Sequence, residues 1–271
     1  MTVRNIAWNA GQYIRKLMGW CPNTSSHKVR QYAYLENVGL ESSNNAGGEK
    51  EEMKIRKMTL AIIGLVLFSF ALSVYFYSQV PEQMATHWGP TGEVNGYMSK
   101  FWGLFFMPFM ITGIAVLFLV IPLVDPRKEN IEKFRKYYDT FIVLTLIFML
   151  VIHCEVLLWN TGIKISPNVL VPAGIGILFY YAGFLTEHAQ RNWFIGIRTP
   201  WTLSSETVWN KTNRLGGKLL KLAGIISFAG IFFPNLAVYF ILVPALSFAG
   251  FTIVYSYLEY QKELKERTKV H

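Results

Sequence analysis

Residues Leu222–Leu258 read LAGIISFAGIFFPNLAVYFILVPALSFAGFTIVYSYL, 37 positions without one charged side chain. A straight helix of that length would reach about 55 Å, whereas the hydrocarbon core of a bilayer is about 30 Å thick. The run is too long for one crossing, and Pro234-Asn235 in its middle is a turn signal. It divides into two spans. Four more runs of spanning length precede it: Met58–Gln79, Phe101–Val124, Phe141–Asn160 and the short Val169–Leu185. Six transmembrane helices follow, in an all-α polytopic membrane protein. Pro108, Pro122, Pro172 and Pro244 fall within or near the ends of spans, where neighbouring helices can satisfy the carbonyls that a proline frees.

Composition agrees. Of 271 residues, 52% are hydrophobic and only 16% charged, against about a quarter charged in soluble domains. Mean hydropathy is +0.29. These values exclude an ordinary soluble domain, a disordered chain and a disulfide scaffold; the two cysteines, Cys21 and Cys154, lie in a polar tail and an apolar run. The net charge of +9 belongs to loops and sets topology rather than marking a nucleic-acid footprint. Eighteen Lys and Arg alternate onto one side: Lys50 to Lys57, Arg127 to Lys136, Arg191 to Lys218 and Lys262 to Lys269. The other side holds only Lys100 and Lys164. The positive-inside rule places both termini in the cytoplasm of a plasma-membrane protein.

Two loops carry information. The outer one, 80–100, contains Gly89-Pro90, Thr91-Gly92 and Asn95-Gly96, turn dipeptides that predict a compact loop or small hairpin. Trp88 and Tyr97 suit the headgroup layer. His87 and Glu93 can titrate or ligate a metal, but two ligands fall short of a site; a satisfied polar turn is the alternative. The inner loop, 186–218, contains Asn192, Trp193, Gly196, Arg198, Thr199, Pro200 and Trp201. Ser204 reads as an N-cap with Glu206 in the first turn. Val208, Trp209, Thr212 and Leu215 then share one face, and Lys211, Arg214 and Lys218 the other. This pattern predicts an interfacial helix between spans four and five, with apolar groups in the acyl boundary and cations towards lipid phosphate, or else a plain amphipathic connector. Arg198 can meet an anionic group or close a structural salt bridge.

Within the spans, His153 and Glu155 stand near the outer end of the third. An intramembrane carboxylate is a functional candidate, and the neighbouring His makes a proton relay conceivable; a structural anchor pairing Glu155 with His87 or Lys100 is the other reading. Gly174 and Gly176 read as close helix packing. No nucleophile–base constellation, phosphate-cradling loop, metal cluster or cofactor motif is found, so no enzyme, metal or cofactor is expected.

The stretch His87-Trp88-Gly89, Gly92-Glu93 and Asn95-Gly96-Tyr97 resembles the loop of a domain of unknown function at the N-terminus of SdpI-type membrane proteins. The turn Asp125 to Asn130 resembles the same family. So does Asn192-Trp193-Phe194-Ile195-Gly196-Ile197-Arg198-Thr199-Pro200-Trp201, followed by Trp209, Thr212 and Leu215-Gly216-Gly217. The resemblance implies a 53–125 two-helix module and a 126–271 four-helix SdpI-like module. Residues 1–52 are expected to be a polar disordered tail or a stretch upstream of a start at Met53. It further implies immunity to a secreted antimicrobial peptide toxin, and signalling by holding a soluble transcriptional repressor at the membrane. The bilayer, a peptide outside and a repressor inside are then the partners, with no direct nucleic-acid contact. The competing expectation is a small proton-coupled transporter using Glu155 and His153.

Overall fold

A computed structural model describes residues 57–269. The expectations for the polar tail before Met53 lie outside the described residues. Six helices are long and apolar enough to cross a membrane. They are α1 (Lys57–Phe76), α2 (Lys100–Val124), α4 (Arg135–Asn160), α5 (Pro167–His188), α7 (Glu206–Ala229) and α8 (Ala237–Lys269). Two five-residue helices, α3 (Lys128–Glu132) and α6 (Pro200–Ser204), lie in the connections. The bundle is wrapped in apolar side chains: Leu123 is 77% and Leu246 70% exposed, with dozens of like neighbours. Exposure on that scale has no counterpart on a soluble monomer and is the surface lipid covers.

The expected span limits hold at most ends, and local chemistry explains them. Asp125 stops α2 because it precedes Pro126 and is driven to extended backbone. After α4, Gly162 takes φ +100°, Ile163 N–H reaches Leu158 O at 2.9 Å and Gly162 N–H reaches Trp159 O at 3.2 Å. That is a glycine-closed Schellman end. Pro234-Asn235 does break the last apolar run, as one of two short 3-10 turns between α7 and α8. The four intrahelical prolines are all buried, on faces where neighbours compensate them.

One expectation changes. The amphipathic stretch is not a separate helix: α7 runs unbroken from Glu206 to Ala229 and includes the fifth span. Its apolar face meets protein rather than an acyl boundary. Trp209 is 0% exposed, and its Nε1–H donates to Ala189 O at 2.7 Å. The N-cap is Ser205, whose hydroxyl accepts Val208 N–H; Ser204 instead ends α6.

Helices α5 and α7 pack antiparallel through glycines seven residues apart. A Cβ on Gly176 would stand 2.9 Å from Gly224 O, and one on Gly217 2.6 Å from Gly183 O. Backbone meets backbone there, the close approach that small residues permit between membrane helices. Gly174 instead lies under the Phe148 ring of α4. Helices α1, α2 and α4 share one core of Ile62, Ile111, Ala115, Tyr138, Ile142 and Leu146. Ser73 of α1 ties them together. Its hydroxyl lies 2.7 Å from Leu104 O and 3.0 Å from His153 Nε2.

Candidate functional site

At one end of the bundle the outer loop forms an antiparallel hairpin of β1 (Gln83–Trp88) and β2 (Val94–Ser99). The turn dipeptides signalled this compact loop. Several contacts hold the hairpin to the helices. Met84 is buried with Leu104, Val156 and Leu157. Asn160, the last residue of α4, brackets Ala85: its Oδ1 accepts Ala85 N–H at 2.8 Å and its Nδ2 donates to Ala85 O at 2.9 Å. Asn168 of α5 donates to Pro90 O at the hairpin tip (2.8 Å) and to Pro234 O in the α7–α8 turn (2.9 Å). Beneath the tip lies a cleft of about 350 Å³, walled by His87, Trp88 and Asn95 of the hairpin and by Asn168, Val171 and Val238 of α5 and α8.

Among the hairpin residues singled out, His87 pairs through Nδ1 with Asn95 Oδ1. Trp88 packs edge-on against Trp159, its Nε1 buried without a partner. Gly92 takes φ +88° beside Asn168. Glu93 lies over Gly89, Gly96 over His87, and Tyr97 is exposed. Among the described residues no three His, Cys, Asp or Glu side chains come together.

The polar pair of α4 does not act as a unit. Residues two apart on a helix do not face each other. His153, fully buried, turns towards Ser73. Ser73 Oγ lies within hydrogen-bond reach of Leu104 O, Ser69 O and His153 Nε2, while His153 Nδ1 is buried without a partner. Glu155 is 2% exposed, and its Oε1 has no hydrogen-bond partner. The anchor expected with His87 or Lys100 is not formed. His87 is taken by Asn95, and Lys100 Nζ lies 3.0 Å from Glu82 Oε1.

At the basic end the inner loop is fixed by side chains that satisfy its backbone. Asn192 is buried; its Oδ1 accepts Phe194 and Ile195 N–H, and its Nδ2 donates to Gln190 and Ile195 O. Gly196 takes φ +104°, and a Cβ there would stand 2.6 Å from Asn213 Oδ1 and 3.2 Å from the Trp209 ring. Glycine is demanded twice. Thr199 caps α6 in a reciprocal box with Thr202, followed by Pro200 at N1, and its hydroxyl reaches Ser256 on α8 at 3.0 Å. Trp201 packs edge-on against Tyr257. Gly216 lies under Ile197, and Gly217 under Glu187 and Gly183. Arg198 is exposed and donates to Trp193 O. It has no carboxylate partner among the described residues, so the salt-bridge reading gives way. Trp193 and Phe194 are exposed beside it.

Four contributors were missed as site residues. Buried Asp125 accepts Trp193 N–H at 2.9 Å and Arg127 N–H at 2.7 Å, tying the α2 exit to the inner loop. Asn213 accepts Ile197 N–H at 2.7 Å. Asn160 and Asn168 hold the hairpin. An Asp before Pro at a helix end, and an Asn four residues after a buried Trp, were the only available signals.

The two ends coincide with two family models. The SdpI/YfhL protein family matches residues 188–256, from the end of α5 through the inner loop to most of α8. A domain of unknown function, DUF1648, matches 64–112, which holds most of α1, the hairpin and half of α2. The immunity protein SdpI of Bacillus subtilis (strain 168) is 26% identical over 210 residues, covering 78% of this chain and 98% of that protein.

The chain is similar to the SdpI/YfhL family.

With this similarity and six spanning helices it is a multi-pass membrane protein. No solved structure matches it. In SdpI/YfhL terms, the family segment is the part whose glycines and loop side chains set backbone geometry, and the DUF1648 segment carries the hairpin that overlies the outer cleft.

Proposed function

We propose that this SdpI-like protein is a membrane immunity protein that protects its cell from a secreted antimicrobial peptide. The observation that carries this reading is its similarity to an immunity protein along 98% of that protein's length. The distribution of loop charge supports an orientation with the hairpin outside and the basic loops in the cytoplasm. The cleft under the hairpin tip is then the surface that meets the peptide. Its apolar wall of Val171, Val238 and Ile241 beside His87, Asn95 and Asn168 suits a peptide carrying both apolar and polar groups. The inner loop presents Trp193, Phe194 and Arg198 to the cytoplasm, and a soluble repressor docking there would be held at the membrane. Exposed aromatic and Arg side chains on a rigid loop are the usual anchors of such contacts.

The test is survival of a toxin-sensitive host expressing the intact chain, His87→Ala or Arg198→Ala, at equal membrane abundance. The intact chain should protect. His87→Ala should lose protection, and Arg198→Ala should keep protection while releasing a fluorescently tagged repressor to the cytosol. Equal killing with and without the intact chain rejects the immunity reading.

A further inference from the structure

Four cations follow one another along α7: Lys211, Arg214, Lys218 and Lys221. Two are neutralised. Lys211 Nζ lies 2.8 Å from Glu259 Oε2, and Lys221 Nζ lies 2.7 Å from Glu187 Oε2 and over the Phe184 ring. Arg214 and Lys218, one turn apart, are exposed and have no acidic partner among the described residues.

Both line one cleft. It has a volume of about 640 Å³ and lies between the end of α5 and α7, with Glu187, His188, Gln190, Asn210, Asn213 and Lys221 as its other polar walls. The charges facing it can be tallied. Glu187 is cancelled by Lys221, leaving Arg214 and Lys218 as an uncompensated pair. His188 donates through Nδ1 to Phe184 O and stacks on Tyr137 at 4.0 Å, which fixes its ring and leaves Nε2 as its open nitrogen. Asn210 is exposed, and its side chain makes no hydrogen bond among the described residues. A forked guanidinium beside an ammonium, with an amide to hand, matches the oxygens of a phosphate. The walls are too polar for an acyl chain, and the volume is that of a small-ligand site. The cleft is at the bundle end that the positive-inside rule assigns to the cytoplasm, the side whose leaflet carries anionic headgroups.

We propose that Arg214 and Lys218 form a binding site for a phosphate group, supplied either by an anionic phospholipid headgroup of the inner leaflet or by a free phosphate anion. This assignment stands apart from the immunity reading and does not depend on it.

The experiment uses the full chain purified in a neutral detergent. Native mass spectrometry measures retention of dioleoyl-phosphatidylglycerol against dioleoyl-phosphatidylcholine, and a parallel arm titrates inorganic phosphate while following thermal unfolding. The intact chain should retain phosphatidylglycerol preferentially. The double variant Arg214→Gln/Lys218→Gln should lose roughly thirtyfold in affinity, each cation near an anionic headgroup contributing about fivefold. Lys128→Gln/Lys265→Gln removes the same charge from exposed positions outside the cleft and should bind as the intact chain does. Arg214→Lys should lose only part of the affinity, which separates the site from a folding defect. If inorganic phosphate stabilises the intact chain but not the cleft variant, while the two lipids are retained alike, free phosphate is the source and the site stands. If the cleft variant and the Lys128/Lys265 variant lose binding equally, or neither probe binds the intact chain, the proposal is overturned.

Discussion

Gly217→Ala should loosen the bundle, and Gly113→Ala should not. A Cβ at position 217 would stand 2.6 Å from Gly183 O and 3.0 Å from Glu187 N, both backbone atoms that cannot rotate aside. An ordinary contact begins at 3.4 Å, so α5 and α7 must part by about 0.8 Å at this level. The second glycine pair, one heptad away, is as tight: a Cβ on Gly224 would lie 2.5 Å from Gly176 O. The helices therefore cannot pivot about it without opening both contacts. Overpacking of this kind costs about 1–3 kcal/mol. At Gly113 a Cβ meets nothing within 4 Å. There the substitution only restricts the backbone, which favours a helix by up to about 1 kcal/mol. The assay is fluorescence-detected size exclusion after heating detergent-solubilised protein. The unfolding midpoint should fall for Gly217→Ala and stay or rise for Gly113→Ala. Equal shifts at the two positions would refute the idea that α5 and α7 are in backbone contact.

Three further outcomes follow from the geometry. Asn160→Ala strands both backbone groups of buried Ala85, which at about 1–3 kcal/mol per unsatisfied group should lower the unfolding midpoint more than Asn160→Asp, which still accepts Ala85 N–H. Glu155→Gln breaks no ion pair, because its buried oxygen has no partner, so its midpoint should equal or exceed that of the intact chain; Ser73→Ala removes the link to Leu104 O and His153 and should cost about 1–3 kcal/mol, read in the same assay. In a cysteine-free background, Thr91→Cys should react with an impermeant maleimide in whole cells, and Ser204→Cys only after permeabilisation. Both side chains are exposed, whereas the neighbouring Ser205 is buried and would be shielded from either side.

The spans were legible because a bilayer demands unbroken apolar length, which composition displays directly. Where helix outruns bilayer, the pattern misleads. Helix α4 begins at Arg135, ahead of the apolar Phe141, held by an ion pair from Arg135 to Asp139 at 2.6 Å. Helix α8 runs 33 residues, about 50 Å, with Glu259 and Glu263 tying its last turns to Lys211 and Ser205. The beginning of α7 was hidden most deeply. Its charges point outward while Val208, Trp209, Thr212 and Gly216 point inward, so a hydropathy reading sees a surface helix where the chain builds a continuous span. The site was legible as a set of residues but not as a set of roles. The hydrogen-bond partners of Asn192, Trp209 and Asn213 are backbone groups, and no spacing in the chain announces which backbone group a side chain will meet.

That assignment of roles separates scaffold from chemistry. A side chain whose polar atoms are all consumed within the fold, by backbone as in Asn192 or by backbone and Ser256 as in Thr199, has nothing left to offer a ligand. A glycine facing a carbonyl offers only its smallness. Removing them should be felt as instability, whatever the protein binds. Groups with unspent donors and exposed faces include Arg198 beside Trp193 and Phe194, and the Arg214 and Lys218 pair that shares one cleft. Gly217 and Lys218 are adjacent in the chain but, about 100° apart around the helix, do different things, one packing against Gly183 and one lining the basic cleft. A perturbation at the first should move the unfolding midpoint and spare affinity per folded molecule. At the second it should move phosphate affinity and spare the midpoint. If both residues shifted both quantities together, scaffold and binding surface would be one structure, and the roles read from their hydrogen bonds would not be separable.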